Sequence, residues 1–216
     1  MSPGDEELSQ RRRRMVEAQL RARGIRDPRV LEAMASVPRH RFIDPANVEL
    51  AYGDFPIDIG LGQTISQPYI VGYMSEALQL GPANTVLEIG TGSGYQAAVL
   101  AGLVREVYTI EIVPELARRA TAVLGELGFH NVRAREGDGY QGWPEHAPFD
   151  AVIVTAAPDH IPHPLVEQVS IGGRLVVPVG RWDQDLLVMT RTADGLREET
   201  RIAVRFVPLT RHSPGS

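Results

Sequence analysis

The chain has 216 residues, of which 43% are hydrophobic and 23% are charged, and its formal net charge is −5 at pH 7. This size and composition predict one soluble globular domain, and the acidic balance argues against sequence-independent binding of nucleic acid. The chain contains no cysteine, which excludes disulfide bonds and thiol catalysis and leaves histidine and carboxylates as the strong metal ligands.

The sequence carries no signal for a membrane or a metal ion. No apolar run approaches the roughly 18 residues that cross a bilayer, and the charged N-terminus lacks the apolar core of a signal peptide. We therefore expect a cytoplasmic protein, acting as a monomer. The six histidines show no H-x-x-x-H or H-E-x-x-H spacing, so no metal site is expected. Arg11 and Arg13 lie four positions from acidic residues, which favours a solvated helix face over a nucleic-acid arm.

The first eighty residues predict helices and loops. Residues 6–23 and 28–37 have helical patterns, the second with Asp27 as its N-cap. Residues 39–64 are rich in glycine, proline and aspartate, which predicts a long loop of the kind that is usually functional or disordered. Residues 68–80 return to a helical pattern. We expect residues 1–80 to form a helical and loop cap that contributes to an active site.

From residue 81 onward the pattern predicts a Rossmann-like α/β core within the same single domain. The candidate strands are 85–89, 106–111, 132–136, 149–155, 173–178, 185–192 and 201–207. The candidate helices are 94–103, 114–127 and 162–170. Alternating strands and helices predict a mostly parallel seven-stranded sheet flanked by helices. The turn Ala193-Asp194-Gly195 indicates a hairpin, so the final strand should be antiparallel.

The strongest functional signal is the glycine-rich turn that follows the first strand of this core. Residues 85–94 read TVLEIGTGSG, and the next strand ends in Glu111, about 20 residues after the glycines. This arrangement places a carboxylate near the position of a ribose hydroxyl pair. The spacing is G-x-G-x-G, with tyrosine at position 95, and so differs from the dinucleotide pattern G-x-G-x-x-G. The turn resembles the E/D-x-G-x-G-x-G loop of S-adenosylmethionine methyltransferases.

Two further strand ends carry polar or glycine turns, as expected for a ligand site at the carboxyl edge of an open sheet. Asp138 lies between two glycines after the third strand, and Thr155 follows the fourth. Asp138 is placed to accept a hydrogen bond from an adenine amine, although a turn aspartate alone explains its type. Acidic residues also suit a sulfonium cation, whereas a phosphate-rich cofactor would meet repulsion.

One segment ahead of the core indicates the reaction. Residues 62–69 read GQTISQPY, which closely resembles the G-Q-T-I-S-x-P signature of the protein-L-isoaspartate(D-aspartate) O-methyltransferase family. Further similar segments, in the family's order, are V-P-R-x-x-F at 37–42, the cofactor loop at 87–95, G-D-G at 137–139, a late strand at 172–180 and V-R-F-V-P-L-T at 204–210. The resemblance covers roughly residues 12–210.

The resemblance implies a S-adenosyl-L-methionine-dependent methyltransferase fold and its chemistry. The family transfers a methyl group to the free carboxylate of L-isoaspartyl residues in damaged proteins and peptides, also accepts D-aspartyl residues, and releases S-adenosyl-L-homocysteine. The ester then closes to a succinimide, which starts repair. A carboxylate has a pKa near ~4 and is already ionised at pH 7. It needs no general base, metal or thiol, so catalysis reduces mostly to alignment.

The resemblance also implies site residues. Ser66 is the family's active-site serine, expected to orient the substrate carboxylate without becoming a covalent nucleophile, since no G-x-S-x-G elbow is present. An N-cap role for Ser66 is a second interpretation. The implied cofactor contacts are a flap of Gln63, Thr64, Ile65 and Ser66; Glu88, Gly90, Thr91 and Gly92 in the loop around the methionine part; Glu111 and Ile112 at the ribose; Asp138 and Gly139 at the adenine; and Thr210, which closes the site.

Two other functions stay open at this point. One is a S-adenosylmethionine-dependent methyltransferase that acts on another carboxylate, such as aspartate in a modified peptide. The other is a non-catalytic module that binds S-adenosylmethionine, against which the presence of Ser66, Glu111 and Asp138 argues. A dehydrogenase is disfavoured by the glycine spacing. Tyr69 and Val71 stand where some family members carry histidine, which indicates a subgroup.

Overall fold

The computed structural model describes residues 4–211, which form an N-terminal group of helices, a small hairpin and a seven-stranded sheet. The helices are α1 (Asp5–Met15), α2 (Pro28–Ser36), α3 (Pro68–Ala77), α4 (Tyr95–Ala101), α5 (Pro114–Glu126) and α6 (His163–Glu167). The strands are β1 (Ile57–Gly60), β2 (Gln63–Ile65), β3 (Thr85–Ile89), β4 (Glu106–Glu111), β5 (Val132–Glu136), β6 (Phe149–Val154), β7 (Val169–Val179), β8 (Gln184–Thr192) and β9 (Gly195–Val204).

The large sheet has the order β5-β4-β3-β6-β7-β8-β9. Its pairs are parallel from β5 to β7, whereas β8 is antiparallel to both of its neighbours. The predicted α/β fold with a mostly parallel sheet and an antiparallel last strand is therefore confirmed. The hairpin between β8 and β9 pairs Thr192 with Gly195, at the predicted turn.

Apolar side chains cover both faces of the sheet because successive strand residues point to opposite sides. In β3, Val86 packs into a core that the cap helices share with α4 and α5, while Leu87 and Ile89 pack into a second core that includes Leu165 of α6. These central positions are fully buried. The two cores fix the register of β3, and with it the edge at which its glycine turn emerges.

The helices of the cap follow their local signals. The Asp27 side chain accepts a hydrogen bond from the backbone N–H of Arg29 at 2.8 Å, with Pro28 at the first helical position, as predicted for an N-cap. The first helix continues beyond α1 as a π turn (Val16–Leu20) and a 3-10 turn (Arg21–Arg23). None of the helices in residues 4–211 is both long and apolar enough to cross a membrane.

Three sequence predictions are wrong in detail. The last strand, expected at 201–207, spans Gly195–Val204, because it pairs with β8 directly from the turn. The stretch 39–64, expected as a loop, contains β1, and β2 begins at its end; the two strands form a hairpin with Ile57 opposite Ile65. Strands this short are defined by pairing and by burial of Ile57 and Ile65, which a local pattern does not reveal. The predicted helix 162–170 is only the five-residue α6, because β7 already begins at Val169.

Candidate active site

A cleft, here called the first lobe, lies at the carboxyl ends of β3, β4 and β6. It is bounded by the β2 end of the hairpin on one side and by residues 207–210 on the other. The predicted site residues that line it are Gln63, Thr64, Ile65, Ser66, Gly90, Thr91, Gly92, Glu111, Ile112, Gly139 and Thr210. The fold thus brings together residues from distant parts of the sequence, as the rule for open α/β sheets predicts.

The glycine turn is shaped by two conformations that other residues rarely adopt. Gly90 has φ of 93° and Gly92 has φ of 54°, both in the left-handed region. A Cβ atom at Gly90 would also lie 2.5 Å from Oγ1 of Thr155. Thr155 Oγ1 donates hydrogen bonds to the carbonyl oxygens of Gly90 at 2.6 Å and Ile89 at 3.0 Å. Thr155, directly after β6, therefore holds the glycine turn in place through these two hydrogen bonds.

Glu111, at the end of β4, organises the same turn from the other side. Its Oε2 accepts a hydrogen bond from the backbone N–H of Gly92 at 2.7 Å, and its Oε1 accepts one from Val113 at 2.9 Å. The side chain is nearly buried yet lines the first lobe. A carboxylate oxygen has more than one acceptor site, so Glu111 keeps capacity to accept from a hydroxyl in the cleft.

Glu88 does not line the first lobe. It is fully buried, and its Oε2 accepts a hydrogen bond from Oγ1 of Thr109 at 2.6 Å. Thr109 Oγ1 lies 2.6 Å from Oγ1 of Thr91, which does line the lobe. Burial is the main cause that raises the pKa of Glu88 to about 8, and the charge of Glu111 adds to it. Any effect of Glu88 on a ligand must pass through the two threonines.

Asp138 also lies behind the lining of the first lobe, while its neighbour Gly139 lines it. One carboxylate oxygen of Asp138 accepts a hydrogen bond from the backbone N–H of Tyr140 at 3.0 Å and so caps a short 3-10 turn. The other lies 3.6 Å from Nε of Arg211. The Arg211 guanidinium in turn stacks 4.3 Å from the centre of the Tyr140 ring. A direct contact of Asp138 with adenine stays a prediction.

Ser66 lies where two lobes of the cleft meet. It lines the first lobe and also a second lobe, which lies between the start of α3 and residues 202–208. Within residues 4–211 the Ser66 hydroxyl forms no side-chain hydrogen bond, and the N-cap of α3 is Gln67. The N-cap interpretation of Ser66 is therefore wrong, because the serine lies one residue too early in the chain. Its hydroxyl is left without a role in capping α3.

The sequence interpretation missed several lining residues. They are Val71, Met74, Ile89, Ser93, Tyr95, Gln96, Ile110, Val113, Thr155, Ala156, Val207, Pro208 and Leu209. Thr155 and Ala156 were detectable as a strand end, although no role was assigned to them. Residues 207–209 lie there because Ala157 donates to the carbonyl of Val207 and Leu209 donates to the carbonyl of Ala157, each at 2.8 Å.

The lining chemistry discriminates between ligand classes. Within residues 4–211, the lining of the first lobe contains one carboxylate, Glu111, and neither lysine nor arginine. Positive-φ glycines let the backbone approach a ligand closely. Such a lining fits S-adenosylmethionine, whose sulfonium is a cation, better than a cofactor rich in phosphate. Among residues 4–211, no group of three or more histidines and carboxylates is placed to hold a metal ion.

Comparison with known proteins gives a consistent family signal. A sequence model of the family described as Protein-L-isoaspartate(D-aspartate) O-methyltransferase (PCMT) matches residues 10–214. A protein-L-isoaspartate O-methyltransferase from Gloeobacter violaceus is 61% identical over 202 residues, covering 93% of this chain and 98% of the relative. One of the same name from a Picosynechococcus species is 58% identical over 204 residues, covering 94% and 92%.

Solved structures show the same similarity in three dimensions. One protein-L-isoaspartate O-methyltransferase superposes with a TM-score of 0.83 at 28% identity, covering 91% of this chain and 65% of that one. A Plasmodium falciparum PCMT, crystallised in complex with S-adenosyl-L-homocysteine, superposes with a TM-score of 0.79 at 26% identity. That match covers 93% of this chain and 99% of the other.

Proposed function

This chain belongs to the protein-L-isoaspartate(D-aspartate) O-methyltransferase family, and we propose that it methylates isoaspartyl carboxylates where its two lobes meet. The enzyme is a S-adenosyl-L-methionine-dependent protein-L-isoaspartate O-methyltransferase, and S-adenosyl-L-homocysteine is its product. The observation that carries the proposal for the site is the position of Ser66, which lines both lobes. One lobe suits the cofactor, and the other is open enough for a polypeptide.

We propose the following division of work in the first lobe. When bound, S-adenosyl-L-methionine supplies a methyl group made electrophilic by the sulfonium. The turn formed by Gly90, Thr91 and Gly92 would hold the methionine part of the cofactor. The ribose would be held by the carboxylate of Glu111, together with Ile112. Gly139 would lie at the adenine, with Asp138 behind it. Gln63, Thr64, Ile65 and Thr210 would cover the ligand from the two rims.

Ser66 has the role of aligning the substrate. The substrate carboxylate is ionised at pH 7, so no residue has to remove a proton before attack. A hydroxyl without a protein partner is free to donate a hydrogen bond to one carboxylate oxygen and leave the other pointing towards the first lobe. Orientation of this kind is worth as much as ~7–11 kcal/mol in well-aligned systems. Ser66 therefore acts by position, without a covalent intermediate.

We also propose a domain organisation, an oligomeric state and a location for the protein. We take the whole chain as a single methyltransferase domain in which residues 1–80 form a cap and 81–216 the core; the place of Gln63 to Ser66 in the lining supports this. The net charge of −5 supports the absence of a nucleic-acid partner. A monomer and a cytoplasmic location stay predictions, which light scattering and cell fractionation would test.

The decisive experiment measures methyl transfer from labelled S-adenosylmethionine to a synthetic isoaspartyl peptide, with the aspartyl peptide of the same sequence as its control. We expect label only on the isoaspartyl peptide, as a base-labile ester. A D-aspartyl peptide in the same assay tests the second substrate. If S-adenosylmethionine binds by calorimetry but no peptide is labelled, the chain acts on another carboxylate or only binds the cofactor.

A further inference from the structure

The second lobe differs in charge from the rest of the cleft. Apolar side chains from the strand end and the following segment make up much of its wall, among them Ile202, Val204 and Phe206. Among the residues that the structure describes, its charged lining residues are Arg23 and Arg205, and none is acidic. The lobe is therefore positive although the chain as a whole has a net charge of −5. A local charge of opposite sign is typical of a surface that attracts a charged ligand.

The two arginines are not equivalent. Arg23 is neutralised by Asp54, whose Oδ2 lies 2.7 Å from its Nη1, and its guanidinium stacks 3.6 Å from the centre of the Tyr69 ring. These contacts fix Arg23 as part of the wall. Arg205 is exposed at the rim and forms neither an ion pair nor a side-chain hydrogen bond with any residue in 4–211. Its charge is available to a partner.

Two arginines of the large sheet, in contrast to Arg205, form ion pairs with carboxylates. Arg201, four residues earlier, pairs with Glu198 and Asp185 at 2.8 and 3.0 Å. Arg174 of β7 pairs with Glu199 at 2.8 Å. The strands therefore supply carboxylates to neutralise these two cations, whereas Arg205, in the wall of the cleft, has no such partner in the described part of the chain.

We propose that Arg205 is a specificity-determining residue that favours isoaspartyl substrates carrying an acidic side chain close to the damaged residue. This inference rests on the proposed function, since it assigns the second lobe to the substrate polypeptide. An extended peptide that presents its isoaspartyl carboxylate to Ser66 must run along the second lobe, which Ser66 and Arg205 both line. A glutamate or aspartate of that peptide would then meet the guanidinium of Arg205.

The expected effect is modest because the charge lies at a solvated rim. Exposed ion pairs of this kind change an equilibrium by about two- to fivefold. The change should appear in KM and in its salt dependence more than in kcat, because a rim charge assists encounter and binding. Raising the salt from about 0.05 M to about 0.5 M should remove most of the preference.

The test uses three isoaspartyl peptides of equal length, with glutamate, alanine or lysine placed two residues from the isoaspartate, on one side and then on the other. For the unaltered enzyme at low salt we expect KM to rise in the order glutamate, alanine, lysine on at least one side. Arg205→Gln should bring the three values together, and Arg205→Glu should reverse their order. In both variants the change should appear in KM more than in kcat for all three peptides.

Arg14→Glu serves as the matched control, because it makes the same charge change at an exposed residue of α1 that does not line the lobe. It should keep the original order of KM values. If Arg205→Glu also keeps that order, or if the unaltered enzyme shows no preference on either side, the proposal fails. If no isoaspartyl peptide is methylated by the unaltered enzyme, the proposed function fails instead, so the two failures are distinguishable.

Discussion

The backbone N–H of Gly92 donates a 2.7 Å hydrogen bond to Oε2 of Glu111, which joins the glycine turn after β3 to the end of β4. The same carboxylate accepts from the N–H of Val113. Glu111 therefore holds the glycine turn in shape, in addition to the contact with the ribose that we propose for it. Its loss should affect both binding and the local structure.

Glu111→Ala should weaken binding of S-adenosylmethionine by about 10- to 100-fold, the usual cost of losing hydrogen bonds to a charged group. Isothermal titration calorimetry measures this directly. Glu111→Asp keeps the charge on a shorter side chain. Its dissociation constant for S-adenosylmethionine should therefore lie between those of the unaltered protein and the alanine variant. An unchanged dissociation constant for the alanine variant would contradict the role of Glu111 at the ribose.

Ser66→Ala should lower kcat for an isoaspartyl peptide by about 10- to 100-fold, because it removes a hydrogen bond to a charged oxygen. The dissociation constant of S-adenosylmethionine should change far less, since the role of the hydroxyl concerns the substrate. Single-turnover kinetics and calorimetry on the same preparation separate the two effects. Equal losses in turnover and cofactor binding would remove Ser66 from its substrate-facing role.

Thr155→Val should destabilise the protein by about 1–3 kcal/mol and weaken cofactor binding. It replaces the hydroxyl that donates to the carbonyl oxygens of Gly90 and Ile89 with a methyl group of similar size. Thr155→Ser keeps that hydroxyl and is the matched control. Urea unfolding and calorimetry would measure both variants, and similar losses in the two would show that packing, not the hydrogen bonds, matters here.

Glu88 makes the stability of the protein depend on pH. Its pKa is raised from 4.5 to about 8 in the folded state, so the native protein keeps a proton that the unfolded chain releases in this range. The contribution of this proton is fully present below about pH 4.5 and is lost as the pH rises through about 8. Glu88→Gln cannot ionise, so its free energy of unfolding should not show this decrease with rising pH.

Urea unfolding at several pH values from 5 to 8 would test this linkage. The free energy of unfolding of Glu88→Gln, relative to the unaltered protein, should grow with pH, by an amount on the order of a few kcal/mol. Glu115→Gln removes an exposed carboxylate that pairs with Arg118 at the start of α5, and as the control it should change the free energy of unfolding by no more than about 1 kcal/mol, the usual contribution of a surface ion pair. Parallel curves for Glu88→Gln would mean that Glu88 is ionised in the native state.

Much of this protein was determined by local sequence. The three glycines from Gly90 to Gly94 have positive φ values, a requirement of the individual residue that a sequence displays openly. The strand that ends in Glu111 and the hairpin after Thr192 are likewise short-range signals. Together with the segment at 62–69 they predicted the fold class, the carboxyl-edge site and the family.

The remaining features were decided by tertiary structure, because they depend on contacts between residues far apart in the chain. The pleat of β3 and its packing buried Glu88 beside Thr109, while Glu111 of the next strand reached the cleft. Thr155 braces Gly90 across 65 residues. The path of residues 202–208 along the second lobe left Arg205 without a carboxylate partner among residues 4–211. No local pattern encodes such distances, since burial and partner choice arise only when the chain has folded.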